Sequence, residues 1–292
     1  MSTRSIERII ESVATADGAG VKLRRSLGSG QLARLDPFLM LDEFYSDNPD
    51  DYIAGFPAHP HRGFETVTYM LDGRMEHKDH LGNTGDLGPG SVQWMTAGRG
   101  VIHSEMPKQS EGRMRGFQLW INLPAAEKMK PASYRDIPAE KIPELVFDGG
   151  RIRVIAGTLK LRGETRSGPV NGSQPALSTD PIYWDLSIDP ARQVTLPLPA
   201  GHNAFVYLYE GQASIGGQSL PHRAAGILGD GDRLNLVSGS MGARLLVLAG
   251  KPINEPVVQY GPFVMNTREE IEQAVWDYRD GRLSDASTAA RP

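Results

Sequence analysis

Short runs of β-branched and aromatic residues, each closed by a glycine-bearing turn, recur along this chain and leave little room for helices. Phe64 to Leu71 reads FETVTYML. Asp72-Gly73 follows it, a pair that turns one strand back into the next. Gly82-Asn83-Thr84-Gly85 and Leu87-Gly88-Pro89-Gly90 are further turns, while Ser91 to Met95 and Phe117 to Leu123 read as strands. A second series falls at Ile152 to Gly157, Ile182 to Ile188, Ala204 to Tyr209, Arg233 to Val237 and Ala243 to Ala249. With 33 glycines and 21 prolines between such runs, the pattern predicts an all-β chain. Residues 124–143, rich in Pro, Ala, Lys and Glu, are expected to link two domains, 1–140 and 141–292.

One element departs from this pattern. Asn266 to Glu270 offers a capping residue and early acids. Ile271, Ala274, Val275 and Tyr278 follow at helical spacing, so a C-terminal helix is expected over about 267–279. From Leu283 onward the chain reads as a frayed tail.

The halves resemble each other. Gly63 to Gly73 and Gly201 to Gly211 share a glycine, a strand, an acid and a glycine, with Tyr69 opposite Tyr207, at an offset of 138 residues (73 to 211). Leu87-Gly88-Pro89-Gly90 and Leu228-Gly229-Asp230-Gly231 repeat at an offset of 141 (87 to 228). Two nearly equal offsets imply two copies of one β domain.

Two short words carry the chemistry. His59-Pro60-His61 and His103-Ser104-Glu105 hold three of the seven histidines. Side chains alternate faces along a strand, so each word aims two metal-capable groups the same way. Imidazole nitrogen and carboxylate oxygen suit divalent Fe, Ni, Cu, Mn or Zn. Three histidines and one glutamate would leave a six-coordinate ion two open positions. Glu65 shares the odd parity of His59 and His61, so five candidates compete for four positions. Glu105 is preferred because it pairs with His103, and Glu65 could orient a histidine instead. The repeat offsets place Pro197, Pro199, Asn203, Arg244 and Leu246 at the corresponding positions of the second copy. Those residues cannot hold a transition metal, so one site per chain is expected. His77 and His80 differ in strand parity and read as a solvated hairpin end. Trp94, Met95, Phe117 and Trp120 read as core, although Phe56, Trp94 and Met95 could instead wall the pocket.

Composition excludes several function classes. The absence of cysteine removes disulfides, thiolate metal sites and thiol nucleophiles. A formal net charge of −4 with no basic block gives no electrostatic case for direct nucleic-acid binding, nor for a membrane surface. No apolar run reaches signal-peptide or membrane-span length, so a cytoplasmic protein is expected. His103 and Ser104 are adjacent, which points them apart and argues against a serine hydrolase.

Leu35 to Phe44 (LDPFLMLDEF), Gly55 to Tyr69 (GFPAHPHRGFETVTY) and Gln93 to Pro107 (QWMTAGRGVIHSEMP) resemble the pirin family of the cupin superfamily. That resemblance implies two tandem cupin barrels, jelly-roll-like, with one mononuclear metal in the N-terminal barrel. It transfers the ligand set to His59, His61, His103 and Glu105. A typical cupin would use the glutamate four residues after the HxH pair, here Glu65; pirins resemble the later choice. Iron is the implied metal, with Ni, Cu, Mn or Zn able to occupy such a site. Two activities follow from the resemblance. One is a quercetin 2,3-dioxygenase that opens a flavonol with O2, with Glu105 as the proton acceptor. The other is a non-enzymatic, iron-dependent, redox-responsive protein that modulates a transcription factor or metabolic enzyme. A monomer is expected, because a tandem repeat supplies internally what single cupins obtain by pairing.

Overall fold

The structure, a computed structural model, describes residues 2–30, 33–172 and 177–285. It divides into two compact units, and a single cut near 140 does not describe them. One unit comprises 14–25, 38–139 and 253–292; the other comprises 1–13, 26–37 and 140–252. The N-terminal strand Ile6–Glu11 pairs antiparallel with Ala224–Leu228 in the second unit. The C-terminal helix Arg268–Arg279 belongs to the first unit rather than the second. Pairing partners and apolar surface for the chain ends lie in the opposite half of the sequence, beyond the reach of any local pattern.

The first unit is built from two antiparallel sheets. The larger has seven strands, in the order Ser133–Ile137, Val92–Thr96, Phe64–Asp72, Met114–Asn122, Phe38–Ser46, Val21–Arg25 and Val13–Asp17. The smaller has four, in the order Phe56–His61, Val101–Pro107, Met75–Asp79 and Thr84–Leu87. The expected linker is part of this unit. It holds a short helix, Ala125–Lys128, and the edge strand Ser133–Ile137, whose register runs from Ser133 opposite Thr96 to Ile137 opposite Val92. Its polar composition hid the strand, because an edge strand buries little.

The second unit contains a nine-stranded sheet. Arg233–Gly250 is one continuous 18-residue strand where two were expected. Ile152, Val154, Trp184, Leu186, Leu196, Val206, Leu208, Leu245 and Val247 fill its interior as a close-packed apolar cluster. Position 246, the repeat counterpart of Glu105, is a fully buried leucine.

The terminal helix has the predicted start. Thr267 caps it by accepting from the Glu270 amide, and the Glu270 side chain accepts from the Thr267 amide. Such a reciprocal cap contributes about 1 kcal/mol. Ile271 and Ala274 pack with Phe263, Met265 and Leu283, and half-buried Ile102 and Met129 lie against them. Leu283, expected in a frayed tail, is 1% exposed. Residues 286–292 of that tail lie outside the described residues. No helix among the described residues is long and apolar enough to cross a membrane.

Candidate metal centre

The four-stranded sheet brings the two words together. Val101–Pro107 lies antiparallel to Phe56–His61 with His103 opposite His59, and antiparallel to Met75–Asp79 with Glu105 opposite His77. Alternation holds along the strand: His103 and Glu105 are buried, while Ile102, Ser104 and Met106 are half-buried. His59, His61 and His103 each offer a ring nitrogen, and these atoms all lie within 4.8 Å of one another. The three ring centroids are 4.4 to 4.9 Å apart. Among the described residues this is the one such group of His, Asp and Glu ligands.

The donors fit a divalent transition ion. Nε2 of His59 and Nε2 of His61 face each other at 3.0 Å. That is close enough for both nitrogens to reach one ion at about 2.1 Å each. Nε2 of His103 is buried with no hydrogen-bond partner among the described residues, an arrangement that costs free energy unless a Lewis acid meets its lone pair. Burial holds His61 well below the usual imidazole range; the neighbouring His59 adds to this, and the Pro262 backbone opposes it. Burial, then His61, His59 and His77, lower His103 in the same direction. Neutral imidazoles are the metal-binding form.

Glu105 shares the buried side of its strand with His103 but is not a member of this group. Its carboxylate bridges toward the facing sheet. Thr68 Oγ1 donates to Oε1 at 3.0 Å, and Gln118 Nε2 donates to Oε2 at 3.0 Å. Trp120 Nε1 donates to Gln118 Oε1 at 3.2 Å and so fixes which way the Gln118 amide points. The Trp120 ring also packs edge-on against His61, with centroids 5.4 Å apart, next to Phe64 at 5.2 Å. The larger sheet thus supplies an apolar wall and two donors, and the smaller sheet supplies the clustered ring nitrogens.

Glu65 faces away from Glu105. Gly63 sits at φ +90° between the two strands, and a Cβ there would overlap the Val264 carbonyl oxygen. This glycine turn breaks the alternation that parity assumed to run from His61 to Glu65. Thr68 reaches Glu105, and Glu65 lies at an odd position of the same strand, on the opposite face. It accepts from Thr96 Oγ1 at 2.6 Å and from Trp94 Nε1 at 3.2 Å. Burial pushes its carboxyl up, opposed by those two donors and by Lys130.

His77 is not a solvated hairpin end; it is fully buried. Its Nδ1 lies 3.4 Å from Nδ1 of His103, and its ring packs on Tyr134 with centroids 5.3 Å apart. His80 is the exposed member of the pair, at the turn. The signal in the sequence was parity relative to Met75 and Leu87, whose side chains are buried on the same sheet.

Two family models match the chain: Pirin over residues 20–121 and Pirin C-terminal cupin domain over 183–284. The chain belongs to the pirin family. It is 55% identical over 92% of its length to a protein of Pseudomonas aeruginosa, of which 94% is covered and whose name assigns it provisionally to quercetin 2,3-dioxygenase. It is 40% identical to human pirin, over 96% of this chain and 94% of that one. Among solved structures, a quercetin 2,3-dioxygenase from Acinetobacter baumannii superposes with a TM-score of 0.86 at 33% identity, covering 97% of this chain and 99% of that one. A bicupin all-β fold, expected as two β domains from the repeat and as cupins from the family resemblance, is thereby established. The three-histidine group within the N-terminal pirin match implies a metal site.

Proposed function

We propose that this pirin is a metal-dependent dioxygenase of the quercetin 2,3-dioxygenase type. The observation that carries the proposal is the convergence of three ring nitrogens beside a carboxylate that two donors hold in place. His59, His61, His103 and Glu105 would hold one divalent transition ion, iron by preference. Bound there, the ion would supply a Lewis acid for the flavonol oxygens and a redox partner for O2. His59 is half-buried while the other two histidines are enclosed, so substrate would approach on the His59 side. Trp120 and Phe64 pack on His61 and would keep water from that side of the ion. Glu105 would accept the proton of the 3-hydroxyl group, with Thr68 and Gln118 fixing its aim. The ring then opens with O2 and carbon monoxide leaves. A cytoplasmic setting belongs to the same proposal.

Aerobic turnover of quercetin by metal-loaded protein tests this, with Glu105→Gln and His61→Ala as controls. Absence of turnover with iron, nickel, copper and manganese alike would reject the enzymatic reading. A protein that still bound iron would then fit the regulatory role, and its partner binding would differ between reduced and oxidised forms.

A further inference from the structure

We propose that His77 is a positioning residue that sets the tautomer and the aim of His103. The proposal rests on the metal reading of His59, His61 and His103. A neutral imidazole has one N–H and one lone pair, so the nitrogen that faces an ion leaves the proton on the other. Nδ1 of His103 faces His77 at 3.4 Å, and its buried Nε2 has no hydrogen-bond partner among the described residues. Nε2 is therefore the nitrogen available to an ion, and Nδ1 carries the proton. The acceptor for that proton is Nδ1 of His77.

Acceptance fixes His77 in turn. Its own proton sits on Nε2, a buried atom with no hydrogen-bond partner among the described residues. The opposite arrangement, with His77 Nδ1 donating, would place the His103 proton on Nε2 and turn it toward His59 and His61. Only one of the two arrangements leaves His103 a ligand. The scaffold holds both rings in register: His77 lies directly across from Glu105 on the neighbouring strand. The two histidine rings meet at 4.9 Å between centroids, and Tyr134 packs on His77 at 5.3 Å with 34° between planes. Metal-bound histidines need such an outer acceptor, and its loss weakens binding about 10- to 100-fold.

Four proteins decide the matter: wild type, His77→Phe, His77→Asn and His77→Gln. The readouts are the affinity for cobalt(II) and the bound ion's visible absorption spectrum, with circular dichroism as a folding control. Phenylalanine keeps the ring and removes the acceptor. Asparagine places an amide oxygen near Nδ1, and glutamine places its amide near Nε2. The expected result is an affinity about 10- to 100-fold lower for His77→Phe with an altered spectrum, recovery in His77→Asn, and no recovery in His77→Gln. An unchanged affinity and spectrum in His77→Phe would overturn the role of His77 and leave the metal reading intact. If that variant does not fold, equal affinities of the asparagine and glutamine variants overturn it instead. Wild-type protein that binds no cobalt(II) would overturn the metal reading, and this inference with it.

Discussion

Arg62 and Asp277 form an ion pair of 2.8 Å whose side chains are 1% and 2% exposed. Arg62 directly follows His61, and Asp277 lies on the terminal helix. The same guanidinium donates to the Leu283 carbonyl at 2.7 Å and to the carbonyl of Arg99. Asp277 also accepts from Gln273 at 2.7 Å. One buried side chain thus ties the chain end to the segment that carries two of the three clustered histidines.

Removing one partner would leave the other as an enclosed, unpaired charge, which costs about 3 to 5 kcal/mol. Asp277→Ala is expected to lower the unfolding free energy by about that amount in urea titration. Arg62→Lys is expected to be nearly as harmful, because an ammonium lacks the planar fork that reaches three acceptors. A loss below about 1 kcal/mol for Asp277→Ala, the range of exposed pairs, would show that the clamp contributes little.

Lys128 gives a pH dependence. Its Nζ is buried and donates to the Gly63 carbonyl at 2.7 Å, Asn122 Oδ1 at 2.6 Å and the Val264 carbonyl at 3.0 Å. Burial lowers it from 10.5 to about 8, against the opposing pull of Glu255 and Glu270. Between about 8 and 10.5 the unfolded chain therefore binds more protons than the folded one, and this group's contribution to stability rises with pH. Below about pH 8 both states are protonated and the penalty for burying the charge is fully present. Urea titrations of wild type and Lys128→Met at pH 7, 8, 9 and 10 isolate the effect. Wild type is expected to gain on the variant as pH rises, and a constant difference would contradict it.

The word His103-Ser104-Glu105 was legible because alternation along a strand is a local property, and it holds from Val101 to Glu105 although the pairing with Phe56–His61 shifts register between His103 and Glu105. Glu65 was not, because the positive φ of Gly63 resets the alternation between His61 and Phe64. The burial of His77 is readable from its parity with Met75, but its pairing with His103, 26 residues away across the sheet, is not. The strand Ser133–Ile137 hid behind an edge-strand composition. The placement of Ile6–Glu11 and of the terminal helix depends on partners more than 150 residues away in sequence, which no periodicity records.

Glu105→Gln tests the carboxylate. Both oxygens accept hydrogen bonds, from Thr68 and from Gln118. An amide must set its NH2 group either against the donor-only Gln118 Nε2 or toward Thr68, whose hydroxyl would then have to accept. Gln118 cannot turn to compensate without losing the hydrogen bond from Trp120. Turnover of quercetin is expected to fall by about 10²- to 10⁴-fold, the range for a positioned proton acceptor. Oxygen consumption is the assay, with metal content measured on the same sample. Activity within tenfold of wild type at equal metal content would remove Glu105 from the proton-transfer role.

Metal removal supplies a prediction independent of turnover. The three imidazoles converge only in the folded chain, since His103 lies more than 40 residues from His59 and His61. An ion bound there favours the folded state by mass action, about 2.7 kcal/mol when free metal is 100-fold above its dissociation constant. Chelator-treated protein is therefore expected to unfold at a lower temperature, and added iron(II) under anaerobic conditions is expected to restore the difference. His103→Ala should remove the metal-dependent part of the shift. The mutation deletes a donor that has no other partner at Nε2 among the described residues. A shift of equal size in wild type and His103→Ala would mean that the stabilising ion binds somewhere else.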